Sequence, residues 1–377
     1  MPVGRQRLRR DQGVARAAVA AVLAVPLILG ACSGGQPTSS TDASPPTPTG
    51  DRRAAEALAS AATGAGAVVH LQALQDIAAR NGGNRATGTA GYEQSVDYVA
   101  DTLRRVGFDV QTPTVPLSAG AESGDAQEGE GSATSGTTRN VIAQTRSGRT
   151  DEVVLSGAHL DSVPAGPGIG DDGSGVAAQL EVAVKMGADA PITNAVRFVF
   201  FGAEEDGLLG SQAYVRGLSP DGRRDIAVML NSDGLAAPNG GYFVYDGDGS
   251  DGSNTETAAP GSQAIERLLH DRLASQGVQP RGTGFVDDSD YGPFVAAGIP
   301  AGGVFSGDSG TKTAEQARLW GGQPGVPFQP CYHRACDDIN NINRPMFDRM
   351  VNTLAYGVGA FAVDLNGLPP RNQRSGR

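Results

Sequence analysis

Basic clusters, long apolar runs, cysteine and histidine are all scarce in this sequence of 377 residues. Beyond the N-terminus there is no cluster of Lys or Arg, and the formal net charge is −11, so a nucleic-acid partner is not expected. The longest N-terminal apolar run, residues 17–29, is too short to span a bilayer. Only three cysteines and four histidines occur, so the position of each one is informative.

The first 31 residues have the layout of an export signal, with a segment of five arginines followed by the apolar run. The run ends in Leu29-Gly30-Ala31-Cys32, which resembles the lipobox of bacterial lipoproteins. In those proteins the cysteine becomes the lipidated first residue of the mature chain. An ordinary cleaved signal with an incidental cysteine is the alternative. We predict an exported lipoprotein of the cell envelope, anchored to the extracytoplasmic side of a membrane through Cys32.

The composition of the rest of the chain predicts a tether, one domain and a C-terminal tail. Residues 33–50 contain Ser, Thr, Pro and Gly without a large apolar side chain, so residues 32–64 are predicted to be the lipidated cysteine and a disordered tether. Residues 65–365 are long enough for one domain. Within it, residues 117–138 are predicted to be a flexible loop, and residues 366–377 a disordered tail. Removing residues 1–31, with five Arg and one Asp, takes the charge to about −15, which indicates only solubility.

Apolar segments alternate with helical patterns along the domain. Strands are predicted at 108–115, 140–144, 153–158, 196–201, 227–230, 242–245 and 301–305. Helices are predicted at 68–80, 92–106, 176–186, 211–218, 265–276 and 346–363. Fully apolar strands between helices favour an α/β fold with a mixed, mainly parallel central sheet flanked by helices on both faces. In such sheets, functional groups gather at the carboxyl ends of strands.

Acidic and histidine side chains occur at these strand ends. Each alone has a structural explanation as a core histidine, a helix cap or a solvated turn. Catalytic zinc takes imidazole and carboxylate ligands, and two zinc ions about 3.5–4 Å apart can share one carboxylate. Such a pair needs two imidazoles, two terminal carboxylates, a bridging carboxylate and a further carboxylate as base. The sequence offers that number in His159, His333, Glu205, Asp233, Asp171 and Glu204.

The motifs GAHLDSV, GxxDDGSG, FGAEEDGLLGS, LNSDG and CYHRACDDINNIN, in this order, resemble those of the M28 family of zinc aminopeptidases. The likeness is greatest to the compact secreted bacterial members and runs from about residue 65 to 364. It implies that residues 65–365 are a catalytic domain and that Asp171 bridges two zinc ions. It further implies that one zinc site is completed by His159 and Asp233. The other is then completed by Glu205 and His333.

The resemblance also assigns roles around the metals. A hydroxide shared by the two zinc ions attacks the carbonyl, and Glu204 is the general base that later protonates the leaving amine. Asp161 orients His159, and Tyr332 helps to stabilise the oxyanion. The family further suggests a cis peptide between Asp171 and the next residue.

Cys331 and Cys336 lie five residues apart, a spacing compatible in an exported protein with a small loop closed by a disulfide. A zinc-binding cysteine pair is the alternative. A disulfide would stiffen the loop that carries Tyr332 and His333.

The expected substrates are the N-termini of peptides and proteins, with a hydrophobic first residue. Phe305 is a candidate for the pocket that accepts this residue, and plain core packing is the alternative. The sequence departs from the compact members at 286–291, where it has Asp287, Asp288 and Asp290 but not the family's arginine. Some family members bind calcium, but a full set of ligands for it cannot be matched here. We expect a monomer.

Two other functions remain open on the same motifs. A glutaminyl cyclase-like acyltransferase has this fold with a single zinc ion, and it would need fewer metal-binding positions. A catalytically inactive binding lipoprotein would normally have lost ligands. Retention of both ligand sets favours the aminopeptidase with two zinc ions.

Overall fold

The computed structural model describes residues 52–117, 136–252, 258–286 and 288–375. Their helices are α1 Arg53–Ala61, α2 Gly64–Arg80, α3 Ala90–Arg105, α4 Gly173–Met186, α5 Leu209–Gly217, α6 Pro220–Asp225, α7 Ser262–Ser275, α8 Gly292–Ala296, α9 Ala314–Trp320 and α10 Arg344–Val363. Their strands are β1 Asp109–Gln111, β2 Thr114–Pro116, β3 Thr137–Arg139, β4 Val141–Gln144, β5 Arg149–His159, β6 Asn194–Phe201, β7 Ile226–Ser232, β8 Phe243–Tyr245, β9 Arg281–Thr283 and β10 Ala301–Phe305.

Four parallel strands form the middle of an eight-stranded sheet. β5 pairs in parallel with β6 on one side and with β7 on the other, and β10 pairs in parallel with β7. Antiparallel pairings of β4 with β6 and of β8 with β10 extend the two edges. The strand order is β1-β4-β6-β5-β7-β10-β8-β9, so the predicted mixed, mainly parallel sheet is confirmed.

Both faces of this sheet are buried. On β6, Phe198 and Phe200 face one apolar cluster, and Val199 and Phe201 face another. Helices α2, α3, α4, α7 and α10 contribute to the first cluster, whereas α5 and α8 contribute to the second. Because the central strands are covered on both sides, apolar residues of each one face both clusters and do not simply alternate with polar ones. A slip by one residue would exchange the two faces, so burial fixes the register.

The folded domain begins earlier than the predicted boundary at residue 65. Residues 53–61 form α1, so the prediction of a disordered tether over 32–64 does not hold for them. Ala55 is fully buried, and a Cβ added to Gly359 of α10 would come within 2.8 Å of its Cα. Small side chains allow this close helix contact, which a search for large apolar residues overlooks.

The C-terminal residues also differ from the predicted disordered tail at 366–377. Leu368 is buried, Arg374 pairs with Glu152, and its guanidinium donates to the carbonyl of Arg224. A polar segment of this kind is held by guanidinium contacts more than by apolar burial. Its composition therefore gives no sign that it is ordered.

The predicted strand at 108–115 is interrupted, because β1 and β2 belong to different sheets. β2 pairs instead with β3, which includes the last residues of the predicted loop 117–138. Residues 118–135 of that loop, the predicted export signal and Cys32 lie outside the described residues. In the part of the chain that the structure describes, no single helix is long and apolar enough to cross a membrane. By length and composition, only the bent pair of α1 and α2 together would suffice.

Candidate metal centre

The carboxyl ends of three central strands bring four of the predicted residues together. β5 ends at His159, β6 leads into Glu204 and Glu205, and β7 leads into Asp233. Because β5 lies between β6 and β7, His159 is flanked by the glutamates on one side and by Asp233 on the other. Nε2 of His159 lies 3.6 Å from Oδ1 of Asp233 and 4.0 Å from Oε2 of Glu204.

Asp171 enters the site from the turn that precedes α4. The next residue, Asp172, caps this helix by accepting a hydrogen bond from the backbone N–H of Gly175 at 2.8 Å. The backbone N–H of Asp171 donates to Oδ2 of Asp337 at 3.1 Å, and that of Gly170 donates to Oδ1 at 2.9 Å. The peptide bond between Asp171 and Asp172 is cis, as the resemblance suggests. The turn is thus held from both sides.

His333 reaches the site from a short loop closed by a disulfide. Cys331 and Cys336 are bonded, with an S–S distance of 2.07 Å. The backbone of His333 is left-handed, with φ of 54°, which is uncommon for a residue other than glycine. The ring of Tyr332 stacks on that of His333, with centroids 3.8 Å apart. The predicted bridge is therefore present, and Tyr332 lies beside the predicted ligand.

Asp171 lies between the two imidazoles. Its Oδ1 is 3.1 Å from Nε2 of His159, and its Oδ2 is 3.1 Å from Nε2 of His333. Oε2 of Glu205 is also 3.1 Å from that nitrogen of His333. In a tetrahedral zinc site with bonds of about 2.0–2.2 Å, neighbouring ligand atoms lie about 3.4 Å apart. The side chains therefore form two groups of three donors at zinc spacing, and the groups share one carboxylate.

More than one carboxylate oxygen at the centre lacks a partner. Among the predicted ligands, Oε1 of Glu205 and Oδ2 of Asp171 are both buried without a well-aligned hydrogen bond from the described residues. A buried carboxylate oxygen without a partner is costly, and a bound cation would remove that cost. Burial raises the pKa of Glu205 to about 7, although the hydrogen bond with His333 opposes the shift. The imidazole and carboxylate donors and the open oxygen all fit zinc.

The charges of the carboxylates favour cations at both imidazole positions. Burial alone would lower the pKa of His333, but the hydrogen bonds with Asp171 and Glu205 raise it to about 10. Burial also opposes the shift at His159, yet Glu204 and the other carboxylates raise its pKa. The pKa of Asp171 is held low by its two imidazole partners, against the effect of burial. A metal ion must displace these protons, so its affinity falls as the pH falls.

Glu204 is the most distant carboxylate from His159 among those facing its Nε2. Its Oε2 lies 4.0 Å from that nitrogen, compared with 3.1 Å for Asp171 and 3.6 Å for Asp233, although Glu204 also lies within 4.8 Å of donors of His159 and Glu205. Burial raises its pKa well above the usual range; the charge of His159 opposes this shift, and those of Asp233 and Asp290 add to it. A carboxylate that lies next to the metal ligands and has a raised pKa can take up and return a proton.

Asp161 contacts both His159 and the turn after β6. Its carboxylate lies 3.7 Å from Nδ1 of His159, and its backbone carbonyl is closer, at 3.1 Å. The carboxylate oxygens also accept hydrogen bonds from the backbone N–H groups of Glu204 at 3.1 Å and Glu205 at 3.3 Å, and from Thr87 at 3.2 Å. Asp161 is fully buried, so it holds the turn after β6 directly and His159 mainly through its carbonyl.

Arg85 supports the site and is absent from the sequence prediction. It is fully buried, and its guanidinium donates to carbonyl oxygens in the loop after β5. Those acceptors are Leu160, Pro167 at 2.9 Å and Gly168 at 2.7 Å. A lone arginine among Asn, Gly and Thr gives no periodic signal, so a single sequence does not distinguish it from a surface residue.

A cavity of about 90 Å³ opens beside Asp171 and Asp233. Phe305 lies in its wall and also packs on Phe243, with ring centroids 6.1 Å apart. Both explanations offered for Phe305, pocket and packing, therefore describe part of its environment. Carboxylates lie in the same wall, among them Asp288 from the stretch that lacks the family's arginine.

The rest of that stretch is arranged around the centre. Oγ of Ser289 donates to Oδ2 of Asp233 at 2.7 Å and so orients a predicted ligand. Asp290 is buried, which raises its pKa to about 7. Asp287 lies outside the described residues.

A second acidic group occurs in the loop after β8. Asp246, Asp248 and Glu266 offer oxygens within 4.8 Å of one another. Oδ1 of Asp246 accepts from the backbone N–H groups of Gly249 and Ser250, and its Oδ2 accepts from that of Asp251. These three residues belong to none of the motifs from which the metal ligands were predicted.

Comparisons with known proteins agree with the geometry. The model of peptidase family M28 matches residues 140–358, which include all five predicted ligands. The chain is 37% identical to a probable lipoprotein aminopeptidase, LpqL, of Mycobacterium tuberculosis, over 82% of this chain and 87% of that protein. It is 42% identical to leupeptin-inactivating enzyme 1 of Streptomyces exfoliatus over 77% of this chain, but it spans only 60% of that relative's length.

Solved structures share the fold at lower identity. A zinc aminopeptidase from Bacillus subtilis superposes with a TM-score of 0.59 at 20% identity, covering 79% of this chain and 94% of the other. A glutaminyl cyclase from Porphyromonas gingivalis superposes with a TM-score of 0.60 at 22% identity, covering 78% and 97%. Since both likenesses are of similar quality, the fold alone does not separate the two activities.

Proposed function

The chain belongs to peptidase family M28 and is a metallo-aminopeptidase, and we propose that it holds two zinc ions and uses Glu204 as its general base. The observation that carries the proposal is the position of Asp171, whose two carboxylate oxygens each lie 3.1 Å from a different imidazole. A carboxylate in that position can bridge two metal ions. His159 and Asp233 would complete one site. Glu205 and His333 would complete the other.

When bound, the two zinc ions would supply a water of lowered pKa and polarise the scissile carbonyl. Glu204 would take the proton of the attacking water and return it to the leaving amine. Its burial and raised pKa suit both transfers, because the group must be basic enough to accept a proton and acidic enough to give it up. Asp161 would fix the carboxylate by holding the backbone of Glu204.

Tyr332 would assist on the opposite side of the carbonyl. It lines the cavity, it stacks on His333, and burial raises the pKa of its hydroxyl, so it stays a donor at neutral pH. A hydroxyl donor near the developing oxyanion lowers the barrier to acyl transfer. Phe305 in the cavity wall supports a preference for substrates with an apolar first residue. One chain supplies every proposed ligand, so a monomer would suffice.

We also propose that the enzyme is exported and anchored by a lipid on Cys32. The sequence Leu29-Gly30-Ala31-Cys32 supports this, as does the name of the relative from M. tuberculosis. The Cys331–Cys336 disulfide persists in oxidising compartments. In detergent phase separation, the wild type should enter the detergent phase and Cys32→Ala the aqueous phase. Equal partitioning of the two would exclude the anchor.

The first test measures metal content and Leu-p-nitroanilide hydrolysis on one purified sample. We expect close to two zinc ions per chain, with activity lost to a chelator and restored by zinc. One zinc ion, no anilide hydrolysis and cyclisation of an N-terminal glutamine would point to the cyclase activity. No bound metal and no turnover would point to a binding protein.

A further inference from the structure

We propose that the cavity beside the metal centre selects substrates whose first side chain is a long aliphatic chain ending in a cation, as in lysine or arginine. The proposal rests on the aminopeptidase function proposed above and specifies the substrate class of the same site. The apolar wall of the cavity suits the hydrophobic part of such a side chain, and we assign the binding of its charged end to acidic residues of the same wall.

The wall of the cavity offers contacts for an aliphatic chain. Phe305 and Tyr245 present aromatic rings, and Val286 at the rim is 65% exposed. Gly234 has no side chain, and a Cβ placed there would touch the ring of Phe305 at 3.4 Å. The methylene groups of lysine and arginine pack on such surfaces while their charged ends reach polar surroundings.

The polar part of the wall is acidic. Asp288 and Asp308 line the cavity, and no Lys, Arg or His occurs among the described residues that line it. Oδ1 of Asp288 accepts a hydrogen bond from the hydroxyl of Tyr291 at 2.7 Å, and Oδ1 of Asp308 accepts one from the backbone N–H of Gly310 at 2.8 Å. These contacts fix the two carboxylates at the cavity.

Two of the four carboxylates that line the cavity already have partners at the centre. Asp171 and Asp233 also line the cavity, but they face the imidazoles of the centre, which leaves Asp288 and Asp308 for the substrate. Two like charges in a partly enclosed cavity favour a cation and disfavour an anion.

The same carboxylates could instead bind the α-ammonium group that every substrate carries. A matched pair of substrates separates the two cases, because lysine and norleucine have the same four-carbon chain and differ in the terminal ammonium. Arginine and citrulline provide a second pair. If the carboxylates bind the charged end of the substrate's first side chain, removing them should lower kcat/KM for only one member of each pair. If they bind the α-ammonium group, kcat/KM should fall for both members.

The test measures kcat/KM of the zinc-loaded full-length enzyme for the p-nitroanilides of lysine and norleucine. In Asp288→Asn/Asp308→Asn, we expect the lysine-to-norleucine ratio of kcat/KM to fall about tenfold, since each amide keeps the shape and removes the charge. Each single variant should give part of the fall. Asp271→Asn, at an exposed carboxylate on α7, is the matched control and should leave the ratio at its wild-type value.

An unchanged ratio in the double variant would overturn the proposal, and so would an equal fall for both substrates. A change in selectivity confined to the second residue of dipeptide substrates would overturn it too. Absence of hydrolysis of every anilide by the wild type would reject the aminopeptidase function itself. Circular dichroism of the double variant checks that it is folded before the ratios are compared.

Discussion

The described residues hold acidic side chains at ligand spacing in two places, the metal centre at the strand ends and the loop after β8. In the loop, Asp246 accepts three backbone hydrogen bonds, and Glu266 accepts one from Gly247 at 2.9 Å. At the centre, the carboxylates face imidazole nitrogens, and Oε1 of Glu205 is left without a partner. The donor atoms of each group lie within 4.8 Å of one another in both places, so this spacing alone does not identify a metal site.

The two places differ in the hydrogen-bond partners of their carboxylate oxygens. Backbone N–H groups neutralise much of the charge of Asp246 and thereby close a turn. At the centre, Asp171 gives its two oxygens to two imidazoles, each of which can exchange its proton for a metal. Four substitutions test whether the centre binds metal and the loop does not. The first should have the largest effect and the last the smallest.

Glu204→Gln should lower kcat by about 10³-fold or more, because the amide cannot take a proton from the attacking water. The zinc content should stay at the wild-type level, since Glu204 is not one of the five proposed ligands and lies farther from His159 than Asp171 and Asp233 do. Steady-state kinetics and elemental analysis of the same preparation measure the two quantities. A variant that keeps its rate would show that another group is the base.

Asp171→Asn should lower the affinity for zinc by at least about 100-fold and reduce the bound metal below two per chain. The substitution removes the negative charge shared by the two donor groups and leaves one oxygen donor. Zinc titration followed by a chromogenic chelator measures the loss. Two tightly bound zinc ions in this variant would show that Asp171 does not bridge them.

Asp246→Ala should lower the free energy of unfolding by about 2 kcal/mol, because three backbone N–H groups lose their acceptor. Zinc content and kcat of the folded variant should equal those of the wild type. Urea denaturation gives the stability. If stability depended on calcium in the wild type but not in the variant, the loop would be a cation site and the contrast would fail.

Glu266→Gln should raise the free energy of unfolding at pH 8 by about 1 kcal/mol. Burial raises the pKa of Glu266 to about 7, above its value in the unfolded chain of about 4.3. The wild type therefore loses stability as the pH rises from about 4 through 7, and the amide does not. Near pH 4 the difference should vanish. A variant less stable than the wild type at pH 8 would contradict this.

The sequence predicts the framework of the centre well. Runs such as 196–201, apolar except for Arg197, reflect the cover on both faces of β6, so strand ends and the motifs after them can be located without a structure. The spacing of motifs in the sequence does not give the order of the strands in the sheet. That order places His159 between the glutamates and Asp233.

The contacts around the centre could not be predicted in the same way. Arg85 and Ser289 act through hydrogen bonds to residues far away in the chain, and no local pattern marks them. The carboxylate of Asp161 binds the turn after β6 more closely than the imidazole of His159, because the backbone carbonyl already occupies the nearer position. Helix α1 was not predicted, because its small side chains do not form an apolar pattern of large residues. They nevertheless pack closely against α10.

The segments of the centre are spread along the chain, from His159 at the end of β5 to His333 in the loop between α9 and α10. A ribosome completes β5, β6 and β7 well before it reaches His333, and the chain must then pair these strands before the donors meet. An unfolded chain therefore has no centre and cannot cut the peptides around it. Under the export proposed above, the order of synthesis and folding would keep hydrolysis out of the cytosol, where the chain is made.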